Sequence, residues 1–294
     1  MNIIFIHKGD SWYLSYALKQ AKQSNPDANI VLLGDNSNSK YANIVKHDLI
    51  SNYFDKADEF RNIYKHFSTT GYQHELFCIQ RWFVWFEYMK AHKIESAILP
   101  DTDVLIFQPI QDFIKTINLE FQFSKGTTNY MGFMYMKTKY LKIICDYFEF
   151  QYLDPLMLSE LEKAYIDYVK ITGAGGVSDI TLFNRYEKEN PDCALNFELP
   201  PINGYAFINS LDSPYYIHNK DGYVKFKWKK NISYATLLDG GDVSIVGVHC
   251  FGLQKEYIRK LYNGKGKTKS RLVFLWKRSI FKMIFDKLRG RKKK

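Results

Sequence analysis

Clustered cysteines are what this sequence most clearly lacks. Cys78, Cys145, Cys193 and Cys250 are the only four in 294 residues, and none stands in Cys-x-x-Cys or Cys-x-His spacing. That excludes a disulfide framework and a cysteine-rich zinc site. Long apolar runs are missing as well: Arg81 interrupts the longest candidate, short of the ~18 residues a spanning helix needs. The apolar opening Asn2–Ile6 is too short for a signal peptide and no basic region precedes it, so the expected location is cytoplasmic. No internal repeat appears, and no low-complexity segment outside the C-terminal tail. With 46% hydrophobic and 24% charged residues the composition is globular, which excludes disorder and collagen-like structure. The length admits one large domain or two small ones, with a sizeable core either way.

Charge is unevenly placed. Of the formal net charge of +10, residues 265–294 carry thirteen Lys/Arg against one acid, Asp286, so this tail is +12 and the body is −2. At about 100° per residue, Arg271, Arg278, Lys282 and Arg289 share one helical face, with Ile280, Phe281, Ile284 and Leu288 opposite. Cations and apolar area on opposite faces suit an anionic membrane surface. The expected organisation is a body over 1–262 and a membrane-associating tail over 263–294, contacting lipid through 269–294 and holding the protein peripherally on the inner face of the membrane. A helix docked on the body, or a nucleic-acid contact, are the alternatives; nucleic acid is not the expected partner.

The chain opens as a β-α-β unit. A strand over Asn2–Ile6 leads through the polar loop His7–Ser11 into a helix to about Ser24, and a second strand, Ile30–Leu33, ends in Gly34-Asp35-Asn36. Such a unit implies parallel pairing and a nucleotide-sized crevice at the strand carboxyl ends. An aromatic-rich helix over Glu75–His92 precedes a buried strand, Ser96–Leu99, then Pro100-Asp101-Thr102-Asp103 and the apolar run Val104–Phe107. Phe133–Met136 reads as a strand and Asp179–Glu189 as a helix capped by Ser178. Residues 223–249 read as alternating strands, with Asp239-Gly240-Gly241-Asp242 as a hairpin turn. Trp82, Phe83, Trp85 and Phe86 read as core packing. Gly173-Ala174-Gly175-Gly176 reads as a flexible loop, because no strand-glycine-helix context with a lysine surrounds it.

Two acids one residue apart, directly after a buried strand, carry the most chemistry. At a strand end alternate side chains point the same way, so Asp101 and Asp103 can approach one point. Two carboxylates there repel unless a cation joins them, and hard oxygen ligands suit Mg²⁺ or Mn²⁺. A solvated turn is the competing reading. A second cluster follows the apolar run Val243–Val248: His249 can add a nitrogen ligand, Gly252 permits close backbone approach, and Lys255 can meet a phosphate.

In this order the features resemble the GT-A glycosyltransferases, and among them the glycogenin-like and lipopolysaccharide galactosyl- and glucosyltransferases, over most of residues 1–262. The correspondence runs through Arg81, twenty positions ahead of Asp101, then Asp101-Thr102-Asp103 itself. It continues through Asn129-Tyr130-Met131-Gly132-Phe133, a loose match to an Asn-x-Gly segment, and Asp179 to Asn184 at a helix start. It closes on His249 to Lys255 as His-x-x-Gly-x-x-Lys. The resemblance implies an α/β fold of GT-A type, a Rossmann-like nucleotide-binding half with a mixed central sheet. It implies a hexosyltransferase moving sugar from a nucleoside-diphosphate donor, UDP-linked, to a glycan or glycolipid hydroxyl in surface polysaccharide or lipopolysaccharide synthesis. Mn²⁺ or Mg²⁺ would be held by Asp101, Asp103 and His249. Arg81, Thr102, Gly252 and Lys255 would surround the diphosphate, and His7, Lys8, Gly9, Asp10 and Asp35 the base and ribose. Asn129, Gly132 and Asn184 would lie on the acceptor side, with Asp179 as the catalytic candidate. The family has Gln after that Asp where this chain has Ile180, so retaining and inverting chemistry both stand, with retention favoured.

Two other classes compete. A phosphatase of the haloacid-dehalogenase kind would use Asp101 as nucleophile, Asp103 as acid/base, and Asp239 or Asp242 for Mg²⁺. A non-catalytic membrane or nucleic-acid adaptor would use none of these carboxylates.

Overall fold

The computed structural model describes residues 1–117, 120–126, 132–229 and 232–263. The basic tail beyond residue 263 and Asn129 therefore lie outside the described residues. The architecture is α/β with a mixed central sheet. The opening β-α-β unit is β1 (Asn2–Ile6), α1 (Leu14–Ser24) and β2 (Asn29–Gly34). After it come β3 (Lys46–Leu49), α2 (Asp55–Ile63), α3 (Tyr72–Ala91), β4 (Ser96–Pro100), β5 (Val104–Ile106) and α4 (Ile110–Lys115). The chain continues through β6 (Phe123–Lys125), β7 (Phe133–Lys137), α5 (Thr138–Leu153), α6 (Pro155–Thr172), α7 (Asp179–Glu189) and β8 (Ala194–Asn196). It ends with β9 (Tyr205–Ile208), β10 (Phe226–Lys229), β11 (Ile232–Thr236), β12 (Asp242–His249) and α8 (Ile258–Leu261).

Among the described residues the central sheet has seven strands in the order β3-β2-β1-β4-β7-β6-β8. Its first four run parallel, β7 is antiparallel to β4, and β6 is antiparallel to β7 and parallel to β8. Alternation along the strands feeds two cores. Ile4, Ile6, Val31, Leu33 and Leu99 pack against α2, α3, α5 and α7. Ile3, Phe5, Ile30, Leu32 and Ile98 pack against α1, α4 and the inner side of a second sheet. That second sheet runs β10-β11-β12-β5, with β9 also on β12, and buries a third cluster on its other face.

The apolar segments Ser96–Leu99 and Val104–Phe107 flank the acidic turn in the sequence. They prove to belong to different sheets. The chain leaves the central sheet at Pro100, turns through Asp101–Asp103, and enters the second sheet as β5, antiparallel to β12. In that register His249 faces Val104, and the Cys250 N–H donates to the Asp103 carbonyl at 3.0 Å. A residue far along the chain is thereby delivered beside the two acids. The Asp239–Asp242 segment is the expected turn, closed by Gly240 at φ +97 and by Leu237 N–H to Gly241 O at 2.8 Å. Among the described residues no helix is long and apolar enough to cross a membrane.

Candidate metal and phosphate site

The site lies at the carboxyl edge of the parallel strands. Asp101 is held by its own N–H donating to Gly132 O at 2.8 Å and by Val104 N–H donating back to Asp101 O at 3.1 Å. Each acid is tied on one side by a cation. Arg81, on α3, pairs through Nη1 with Asp101 Oδ1. Lys255 Nζ lies 3.1 Å from Asp103 Oδ2. The other oxygen of each acid faces His249 Nε2, at 3.8 Å from Asp101 Oδ2 and 3.2 Å from Asp103 Oδ1. One ligand atom from each of Asp101, Asp103 and His249 lies within 4.8 Å of the others. Ligands on opposite sides of an ion with ~2.1 Å bonds stand about 4 Å apart, so only a small contraction would close this set around a divalent ion. One imidazole nitrogen with two carboxylates suits Mn²⁺, and the carboxylates suit Mg²⁺.

Electrostatics agree with a cation seat. Burial pushes the Asp103 carboxyl up, but His249 and Lys255 outweigh it and hold it down at about 2. Burial pushes the His249 imidazole down, yet Asp103 and Asp101 draw it above its ordinary value. A buried imidazole between two carboxylates is therefore stabilised by positive charge, whether a proton or a metal supplies it. His249 Nδ1 is buried with no partner among the described residues. Gly132 explains its packing: a Cβ there would fall 2.6 Å from Cε1 and 2.7 Å from Cγ of the His249 ring.

Asp179 joins the site through α3. It is 3% exposed. Its Oδ2 accepts from Arg81 Nη2 at 2.7 Å and from the Trp82 indole N–H at 3.0 Å, while Oδ1 accepts the Ile180 N–H at 3.0 Å. Ser178 caps the helix, its N–H donating to Thr181 Oγ1 at 3.2 Å. Arg81 thus links Asp101 to Asp179, and burial of the guanidinium is outweighed by the two carboxylates. The 67–70 segment fixes the approach to α7: Val177 N–H donates to Phe67 O at 2.7 Å, and a Cβ on Gly176 would lie 2.7 Å from that of Ser68.

The β1 and β2 ends form the adjoining crevice. The Gly9 N–H donates to Asp35 Oδ2 at 2.6 Å, and Asn38 Nδ2 donates to the carbonyls of His7 and Gly9 at 3.0 and 2.8 Å. Asp10 pairs with Lys40 and accepts from the Tyr41 hydroxyl at 2.8 Å. Lys8 lies over the Phe54 and Phe77 rings at 4.0 and 4.6 Å. Thr102 Oγ1 stands 3.0 Å from His7 Nδ1, so the acidic turn and the first strand end are one surface.

The structure brings together Arg81, Asp101, Thr102, Asp103, Asp179, His249, Lys255, Gly132 and His7. Asn184 lies half-buried on α7, and no hydrogen bond joins it to this group among the described residues; its Oδ1 has no partner there. Gly252 sits at φ +55 with nothing within 4 Å of a Cβ, so glycine serves the left-handed backbone at this position. Asp242, at the far end of β12 from His249, is about 20 Å away along the strand. There it is held by Lys227 and Thr236. Asp239 lies in the turn at that same end, its Oδ1 accepting the Gly241 N–H at 3.0 Å, so neither acid offers the third carboxylate of the phosphatase arrangement. Sequence reasoning missed Tyr13, whose ring lies 4.9 Å beneath Lys255 Nζ, and missed the polar role of Trp82. The only signal for Trp82 was its position next to Arg81 on the same helix.

No family model matches the chain, and no curated protein sequence matches it. Solved structures do resemble it. A mouse xyloside xylosyltransferase 1 is 10% identical, with 67% of this chain and 86% of that one covered at a TM-score of 0.45. The galactosyltransferase LgtC, solved with donor and acceptor sugar analogues, is 10% identical over 91% of this chain and 92% of its own, at 0.44. A glycosyltransferase involved in glycosylating the major capsid of PBCV-1 is 9% identical over 88% and 98%, at 0.40.

Proposed function

We propose that this chain is a metal-dependent glycosyltransferase that moves a hexosyl group from a nucleoside-diphosphate sugar, UDP-linked, to a hydroxyl of a glycan or glycolipid in surface polysaccharide or lipopolysaccharide synthesis. The observation that carries the reading is the convergence of Asp101, Asp103 and His249, with one oxygen of each acid anchored outward by a cation and the other turned inward. The motif order in the sequence and the strand-end crevice beside it support the same reading. Departure of a nucleoside diphosphate builds negative charge on phosphate oxygens. A divalent ion, when bound by these three residues, supplies electrostatic stabilisation of that charge. Lys255 stands at the rim of the acids, where its ammonium can turn from Asp103 to a phosphate. His7, Lys8, Gly9, Asp10 and Asp35 line the base and ribose side. Asp179, fixed by Arg81 and Trp82, is positioned to orient the sugar, or to take the acceptor proton if the reaction inverts. The tail over 269–294 would hold the enzyme at an anionic membrane from the cytoplasmic side.

Thermal unfolding with a nucleotide panel tests this. Mn²⁺ with UDP should raise the melting temperature, by the equivalent of about 2.7 kcal/mol at a hundredfold excess over Kd. His249→Ala should lose the Mn²⁺-dependent part. A melting temperature indifferent to every nucleotide and to Mn²⁺ would refute the reading.

A further inference from the structure

The second sheet ends in an edge that carries cations and an exposed indole. β10 is its terminal strand, paired antiparallel with β11 from Phe226↔Ala235 to Lys229↔Ile232. Side chains alternate along it. Phe226 and Trp228 turn to Phe107, with ring centroids 5.9 and 5.1 Å away. Lys227 and Lys229 turn the other way, and both reach Asp242, at 2.9 and 3.8 Å. Lys225, at the next position of that alternation, is exposed and has no ion pair among the described residues. Lys227 and Lys229 therefore share one carboxylate, and Lys225 adds a further cation. Trp228 and Ile232, each 38% exposed, stand at the same end of the hairpin. Lysines alone would guard a sheet edge against pairing. Lysines with an exposed indole and an aliphatic side chain are what the headgroup boundary of an anionic bilayer accepts.

Position adds a second argument. Ile232 lines a cleft of about 280 Å³ with Gln20, Gln23, Phe107 and Asn263. Asn263 is anchored there, its N–H donating to Gln20 Oε1 at 3.1 Å. It directly precedes the tail in which residues 265–294 carry a charge of +12. The root of the strongest basic segment and the basic hairpin thus share one small region of the surface.

We propose that the exposed β10 edge, Lys225 to Lys229 with Ile232 of β11, is itself a contact for an anionic lipid bilayer, in the region of the surface that Asn263 shares. The proposal extends the membrane reading of residues 269–294 and needs nothing from the transferase reading. Full-length protein is mixed with phosphatidylcholine vesicles containing about 30% phosphatidylglycerol, and with pure phosphatidylcholine. Each lysine near such a surface is worth about fivefold in partition, so Lys225→Gln/Lys229→Gln should bind the anionic vesicles about 25-fold more weakly, with an unchanged urea midpoint. Trp228→Phe should lose part of the tryptophan quenching produced by brominated lipid. Weakening of the Lys225→Gln/Lys229→Gln variant, whether or not Lys292→Gln/Lys293→Gln/Lys294→Gln also binds more weakly, would uphold the hairpin contact. A hairpin variant within twofold of wild type would overturn the proposal and leave the tail reading in place. Loss of oligonucleotide binding with vesicle binding intact would also overturn it, in favour of nucleic acid.

Discussion

Gly132→Ala is the smallest change that should disable the metal site. The added methyl would lie 2.6 Å from Cε1 and 2.7 Å from Cγ of His249, where ordinary contact begins at 3.4 Å. The ring must then retreat by about 1 Å, in an interior too densely packed to absorb that freely. His249 is 5% exposed and sits at the end of β12, opposite Val104. Its backbone cannot follow without breaking the β5–β12 pairing. Nε2 is 3.2 Å from Asp103 Oδ1 and 3.8 Å from Asp101 Oδ2, so the displacement is a large fraction of the site's own dimensions. Metal–ligand distances tolerate about 0.2 Å, and a site loosened by about 1 Å usually fails. Overpacking of this kind costs about 1–3 kcal/mol of stability. Mn²⁺ affinity, followed by the loss of the free-ion electron paramagnetic resonance signal, should fall at least about tenfold. Gly71→Ala is the control, because a Cβ there meets nothing within 4 Å. Wild-type Mn²⁺ affinity in Gly132→Ala would mean that His249 is not a ligand held against Gly132.

Two further outcomes follow from α3. Trp82→Phe keeps most of the packing but removes the indole N–H from Asp179 Oδ2. A hydrogen bond to a charged group is worth about 1.5–3 kcal/mol, so urea unfolding should show at least that loss. An unchanged midpoint would show that the indole does not hold Asp179. Glu75, buried near Asp179, has its carboxyl raised above the ordinary value, first by burial and further by Asp179. A carboxyl raised in the fold loses stability as pH rises from its unfolded value through its folded one. Glu75→Gln should therefore stabilise the protein at neutral pH and lose that advantage toward pH ~4.5, as read from denaturation midpoints across pH. A pH-independent difference would contradict this.

Much of the parallel half was legible, because short apolar strands bounded by turn residues and an intervening helix carry a local signal. β1, β2 and β4 match expectation to within one residue at every end, and α7 begins at the expected cap. α5 and α6 were not legible. α5 combines apolar residues on several faces, and α6 buries only Leu161 along 18 residues, so neither shows one clear stripe. Trp82 was read as core packing from its aromatic neighbours, and it is fully buried as expected. Its indole N–H bonding to Asp179 depends on α7 arriving against α3, which no local pattern encodes.

What the sequence determined by itself was the list of chemical parts: two acids after a buried strand, an imidazole after another, and a cation on the helix between the first strands and the acids. These are local facts of composition and period. Which parts meet was decided only by tertiary structure. Antiparallel pairing of β5 with β12 brings His249 to Asp103 and carries Asp242 away from it. Packing of α7 on α3 lets a single guanidinium bridge Asp101 and Asp179. Side-chain periodicity says which face a residue takes, but long-range register says which distant residue it faces, and here that register made the site.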